Sequence, residues 1–168
     1  MSNIFSAFTK QLCEPKEAER LRYECESFDS ALLVWTIEQV LERGYCVYLA
    51  EERTDILRGE WHIPDLSFGA HGVVHGHKYV ILVFEGVTSE LGTLAAAIHE
   101  LGHTVIGCPD DQLSIERWGA IGSPAREAAA WVLGIELFKN QFVEGAAPLL
   151  SRLWERAAEA VRAYSIQS

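Results

Sequence analysis

The chain has 168 residues, 49% of them hydrophobic and 23% charged, enough for one globular domain with a real core. A net charge of −10, with Lys and Arg scattered along the chain, argues against a nucleic-acid surface, which needs clustered cations. No apolar run approaches the ~20 residues of a membrane span, and the opening MSNIFSAFTK lacks a charged region followed by an apolar stretch of signal length. The expectation is therefore a cytoplasmic protein with no direct nucleic-acid or membrane role.

Residues 14 to 43 read as helix, one long or two short. Leu21, Phe28, Leu32, Trp35 and Val40 recur at broadly helical spacing, and Gly44 closes the run. YCVYLA at 45 to 50 is short, aromatic and β-branched, and predicts a strand. Trp61 to Ile63 is a candidate short strand that Pro64 interrupts. Gly72-Val73-Val74 and YVILVF at 79 to 84 predict two more strands joined by a turn at His75-Gly76-His77-Lys78, the second apolar enough to be buried on both faces.

Thr88 or Ser89 is a candidate N-cap for a helix running to about Ile106, where Gly107 and Pro109 stop it. A loop with a short helical turn follows. Ser123-Pro124 then pairs a capping hydroxyl with proline at the first helical position, and opens a helix to about Gln141. The last helix, about 146 to 165, carries Leu149, Leu153, Trp154, Ala157, Val161 and Tyr164 on one face. The expected architecture is α+β in a single domain, 1 to 168. It has an N-terminal helical part at about 14–43, a small sheet at about 45–84 packed against the helices, a helical pair at about 88–141, and a C-terminal helix.

His99-Glu100-Leu101-Gly102-His103 carries the chemistry. Two histidines four apart on a helix share one face and can chelate one ion, and imidazole nitrogen is a standard zinc ligand. Glu100 lies beside the open coordination position, where a carboxylate can take a proton from water and pass it to a leaving amine. This is the reason for the HExxH spacing. Gly92, Ala95, Ala96 and Gly102 on the same helix let other backbone approach the metal face. Catalytic zinc needs a third protein ligand. Glu127, 24 residues beyond His103 and early in the capped helix among alanines, is the expected one. Glu116, in the expected loop, is the rival, and Glu136 lies more than two turns further along.

The stretch YVILVFEGVTSELGTLAAAIHELGHTVIG, followed by SPAREAAAWVLG, resembles the ImmA/IrrE family of bacterial metallopeptidases over roughly residues 45 to 140. That family joins a strand, an HELGH helix and a following helix with a Glu-x-x-Ala pattern, in which Glu127 and Ala130 sit. The resemblance implies a zincin-like metallopeptidase domain holding one Zn2+. It also implies cleavage of a partner protein, commonly a helix-turn-helix repressor, to switch on gene expression in stress, mobile-element or phage-defence regulation. Two other readings stand beside it: a zincin-type peptidase of another lineage without regulatory specificity, and a non-enzymatic zinc-stabilised binding module.

Among the remaining residues, His71, His75 and His77 crowd the expected hairpin. They read as polar turn residues, as donors to a metal centre or as a second metal site. Four cysteines, at 13, 25, 46 and 108, match no zinc knuckle and no CxxC pair, and read as reduced thiols. Cys108, five residues after His103, is either a small buried hydrophobe or a regulatory zinc ligand whose oxidation would release the enzyme.

Overall fold

The computed structural model describes residues 10–20, 30–50, 69–83, 90–107, 112–120, 122–142 and 147–167. Helices dominate an α+β architecture with one small mixed sheet. The chain divides into two compact units, Met1–Ala97 and Ile98–Ser168. Among the described residues no helix is long and apolar enough to cross a membrane. The candidate N-caps Thr88 and Ser89, the segment around Trp61, His62 and Ile63, and Cys108 lie outside the described residues.

The first unit holds the sheet. Strand β1 (Lys10–Leu12) is followed by a 3-10 helix (Pro15–Arg20), helix α1 (Ser30–Glu42), and strands β2 (Cys46–Ala50), β3 (Gly69–Val74) and β4 (His77–Val83). Strand order is β1-β2-β4-β3, with β2 and β4 parallel and both outer pairs antiparallel. β1 was not expected: three residues are too few to display a period. Helix α1 buries Leu33, Val34, Ile37, Val40 and Leu41, the recurrence of a single helical face. Gly44, at φ 83, ends it, donating its N–H to the Leu41 carbonyl.

Val47, Leu49, Val80 and Leu82 are buried on one face of the sheet, and Tyr48, Tyr79 and Ile81 on the other. The expected double burial of the YVILVF strand thus holds for residues 79 to 82. The hairpin turn is shorter than the four residues the sequence suggests. Only His75 and Gly76 form it, with φ 49 and φ 78, the two positive angles of the tight turn that matches strand twist. His77 belongs to β4, not to the turn, and lies 2.8 Å from the Tyr48 hydroxyl. Cys46 and Cys13 follow the last β1–β2 pair, Leu12 with Val47. Burial and a hydrogen bond with Cys13 push the Cys46 thiol up to about 12, and burial pushes the Tyr48 phenol up to about 12.

Helix α2 (Glu90–Ile106) begins in the first unit and ends in the second, which continues with α3 (Gln112–Trp118), α4 (Pro124–Gln141) and α5 (Ala147–Gln167). Gly107, at φ 101, stops α2, its N–H donating to the His103 carbonyl. Ser123 caps α4 as expected: its side chain accepts from the Arg126 N–H at 3.2 Å, ahead of Pro124. Helix α5 buries Leu153 and Ala157. Trp154 and Tyr164, assigned by periodicity to its apolar face, are instead 38% and 40% exposed.

Candidate metal centre

In the second unit, α2 and α4 meet backbone to backbone. A Cβ on Gly102 would overlap the Ala130 carbonyl, and one on Gly134 would overlap the Ile98 carbonyl. Pairing 98 with 134 and 102 with 130 means the two helices run antiparallel. Only glycine, lacking Cβ, permits so close an approach. The small-residue pattern expected on α2 is realised at Gly102, and Gly134 is its counterpart on α4.

This approach brings three ligand atoms to one point. Glu127 Oε2 lies 2.9 Å from His99 Nε2 and 3.1 Å from His103 Nε2, and the two imidazole nitrogens are 3.1 Å apart. The three residues form a group able to hold a metal ion. Donors in tetrahedral array at zinc's bond lengths stand about 3.3 Å apart, so the spacing fits that ion. The chemistry of the set points the same way. Two imidazole nitrogens that face each other and a carboxylate at this distance compete for the same protons, and a cation satisfies all three. The His99 Nδ1 is buried with no hydrogen-bond partner among the described residues, which leaves Nε2 as the working atom of that ring.

Burial alone would raise the Glu127 carboxyl. Hydrogen bonds to His103 and His99, and their charge, outweigh it and hold the group well below the usual carboxylate range. Glu127 thus stays ionised while only 6% exposed. Glu100 follows His99 on α2 and is also buried, 3% exposed. The rival carboxylates stand apart. Glu116 is exposed on α3 and accepts from Gln112 Nε2 at 3.2 Å, and Glu136 is half-buried further along α4. His71, His75 and His77 belong to β3, the turn and β4 of the first unit.

Two neighbours of Glu127 carry no sequence signal of their own. Trp131 is 6% exposed and stacks on the His99 ring, with centroids 4.4 Å apart and planes at 30°. Its position four residues after Glu127 could have placed it on the same helix face. Arg126 is 2% exposed. Its guanidinium donates to the Gly119 carbonyl at 3.1 Å, to the Ser114 hydroxyl at 3.0 Å and to the Ser114 carbonyl at 3.4 Å. Ser114 in turn donates to the Ile106 carbonyl at 3.2 Å, so a short chain of hydrogen bonds ties α3 to the end of α2 and the start of α4.

No protein-family model, curated protein or solved structure matches this chain.

Proposed function

We propose that this chain is a cytoplasmic zinc-dependent endopeptidase with a zincin-like domain, which cleaves a DNA-binding repressor of the helix-turn-helix type. The observation that carries the reading is the convergence of His99 Nε2, His103 Nε2 and Glu127 Oε2 within 3.1 Å, with the buried Glu100 on the same helix as the two histidines. The resemblance of the HELGH helix and the Glu127 helix to the ImmA/IrrE pattern supplies the substrate class.

In this reading His99, His103 and Glu127 hold one zinc ion. Zinc bound there supplies Lewis acidity, polarising a carbonyl and making water more acidic. Glu100 accepts the proton of the attacking water and returns it to the departing amine. Its burial keeps that proton from bulk solvent. Among the described strands β3 lies at one edge of the sheet, and an edge strand can take an extended peptide through main-chain hydrogen bonds, so the expected substrate is a flexible segment of the partner.

The test is incubation of the purified chain with a repressor-type protein encoded near it. The wild type should cut, and a chelator should stop it. Glu100→Gln should keep its zinc and lose at least the ~10²–10⁴-fold typical of general acid–base catalysis. A Glu100→Gln chain that cuts at the wild-type rate, or a wild type that retains no zinc, overturns the proposal. Zinc retention without cleavage of any protein leaves a binding module.

A further inference from the structure

An imidazole that binds a metal through Nε2 usually has its orientation fixed at the other nitrogen, by donating to a carboxylate, a carbonyl or a water. His99 departs from this arrangement: its Nδ1 is buried and has no hydrogen-bond partner among the described residues. The torsion that turns an imidazole about its bond to Cβ is intrinsically broad. A swing of about 30° carries Nε2 a few tenths of an ångström sideways, more than the roughly ±0.2 Å that metal–ligand distances tolerate.

What meets the ring instead is an aromatic plane. The Trp131 indole lies nearly parallel to His99, centroids 4.4 Å apart at 30°, and is itself 6% exposed, so packing holds it in place. His103 approaches the same ring edge-on, centroids 4.5 Å apart at 83°. Trp131 and Glu127 are four residues apart on α4, one turn on one face, so a single helix face presents both the carboxylate and the plane.

We propose that Trp131 is a positioning residue that sets the orientation of the His99 ring for metal binding, by stacking in place of the usual hydrogen bond. The proposal rests on the metal reading of His99, His103 and Glu127. In this role Trp131 acts through His99, on which it stacks.

The experiment compares wild type, Trp131→Phe, Trp131→Leu and His103→Ala. Zinc affinity is measured by competition with a chromogenic chelator, and the fold of each apo form by circular dichroism and thermal unfolding. Trp131→Phe keeps a flat ring and should bind zinc within about threefold of wild type. Trp131→Leu keeps apolar bulk but no plane, and should lose the ~10–100-fold typical of removing an orienting partner. A second readout needs no destabilising change. Co2+ added to the wild type should quench the Trp131 emission, isolated as the difference between wild type and Trp131→Phe. Wild-type zinc affinity in folded Trp131→Leu, or a Co2+ response unaltered in Trp131→Phe, overturns the positioning role and leaves the metal site standing. A wild type that binds no more metal than His103→Ala overturns both.

Discussion

Adding one methyl group at Gly102 tests whether main-chain contact sets the metal geometry. In Gly102→Ala the new Cβ overlaps the Ala130 carbonyl. That neighbour is backbone and cannot turn aside as a side chain would. Ordinary contact is restored only if α2 and α4 part by something on the order of 1–2 Å, since a close-packed interior has no void to absorb the atom. Overpacking of this kind costs about 1–3 kcal/mol. At roughly 2–4 °C per kcal/mol for a chain of this size, the apo midpoint should fall by roughly 2–12 °C.

The same displacement reaches the site. Glu127 lies three residues before Ala130 on α4, and its Oε2 is 3.1 Å from His103 Nε2. A shift of an ångström far exceeds the roughly ±0.2 Å tolerance of a zinc ligand. Zinc affinity should therefore drop at least tenfold, read by chelator competition. Gly107→Ala is the control. It strains a backbone at φ 101 but meets no atom within 4 Å among the described residues, so it should cost about 1 kcal/mol and leave zinc affinity unchanged. A Gly102→Ala protein with the wild-type midpoint and wild-type zinc affinity would refute the backbone contact as the determinant of the site.

Four further outcomes are expected. Glu127→Gln, which keeps the size of the side chain but not its charge, should lower zinc affinity at least tenfold in the same competition assay, with little change in helix content. Ser123→Ala removes the acceptor for the Arg126 N–H and should cost about 1 kcal/mol in urea unfolding, the usual worth of an N-cap. Cys46, held protonated up to about 12, should react with iodoacetamide at pH 8.5 at least ~10²-fold more slowly in the folded chain than in urea, followed by peptide mass spectrometry. Its raised value also means that the stabilisation from keeping this thiol protonated is complete below about pH 9. It is lost as pH rises from about 9 to about 12, because the unfolded chain gives up the proton first; an alkaline unfolding curve flat over that window would contradict it.

The helices around the candidate site were legible where an end carries a local chemical mark. Ser123-Pro124 opens α4, Gly107 closes α2, and the four-residue spacing of the two histidines fixes their common face. Glu127 stood out as a carboxylate early in the capped helix among alanines. The sheet was legible in its apolar strands but not at its margins. β1 is too short for a period to show, and histidine at positive φ is uncommon enough that His75-Gly76 did not read as a complete turn. Trp154 was misplaced because the face of α5 depends on what packs against it, which periodicity alone does not specify. Trp131 and Arg126 were silent for a related reason: a tryptophan and an arginine in a helix are unremarkable until tertiary packing decides what each one meets.

The enclosure of Arg126 bears on how this part of the chain opens. Its guanidinium is satisfied by the Gly119 carbonyl and by the carbonyl and hydroxyl of Ser114. If α3 were to unravel alone, a buried cation would be stripped of these acceptors before water could replace them, a penalty far larger than fraying a seven-residue helix. The lower route releases α3, the link at Gly119 and the first turn of α4 together. Those three segments should behave as one cooperative unit in native-state hydrogen exchange, with the amides of α3 and of Arg126 and Glu127 sharing a common opening free energy. The turn of helix that carries Glu127 would then be as durable as the segment leading into it.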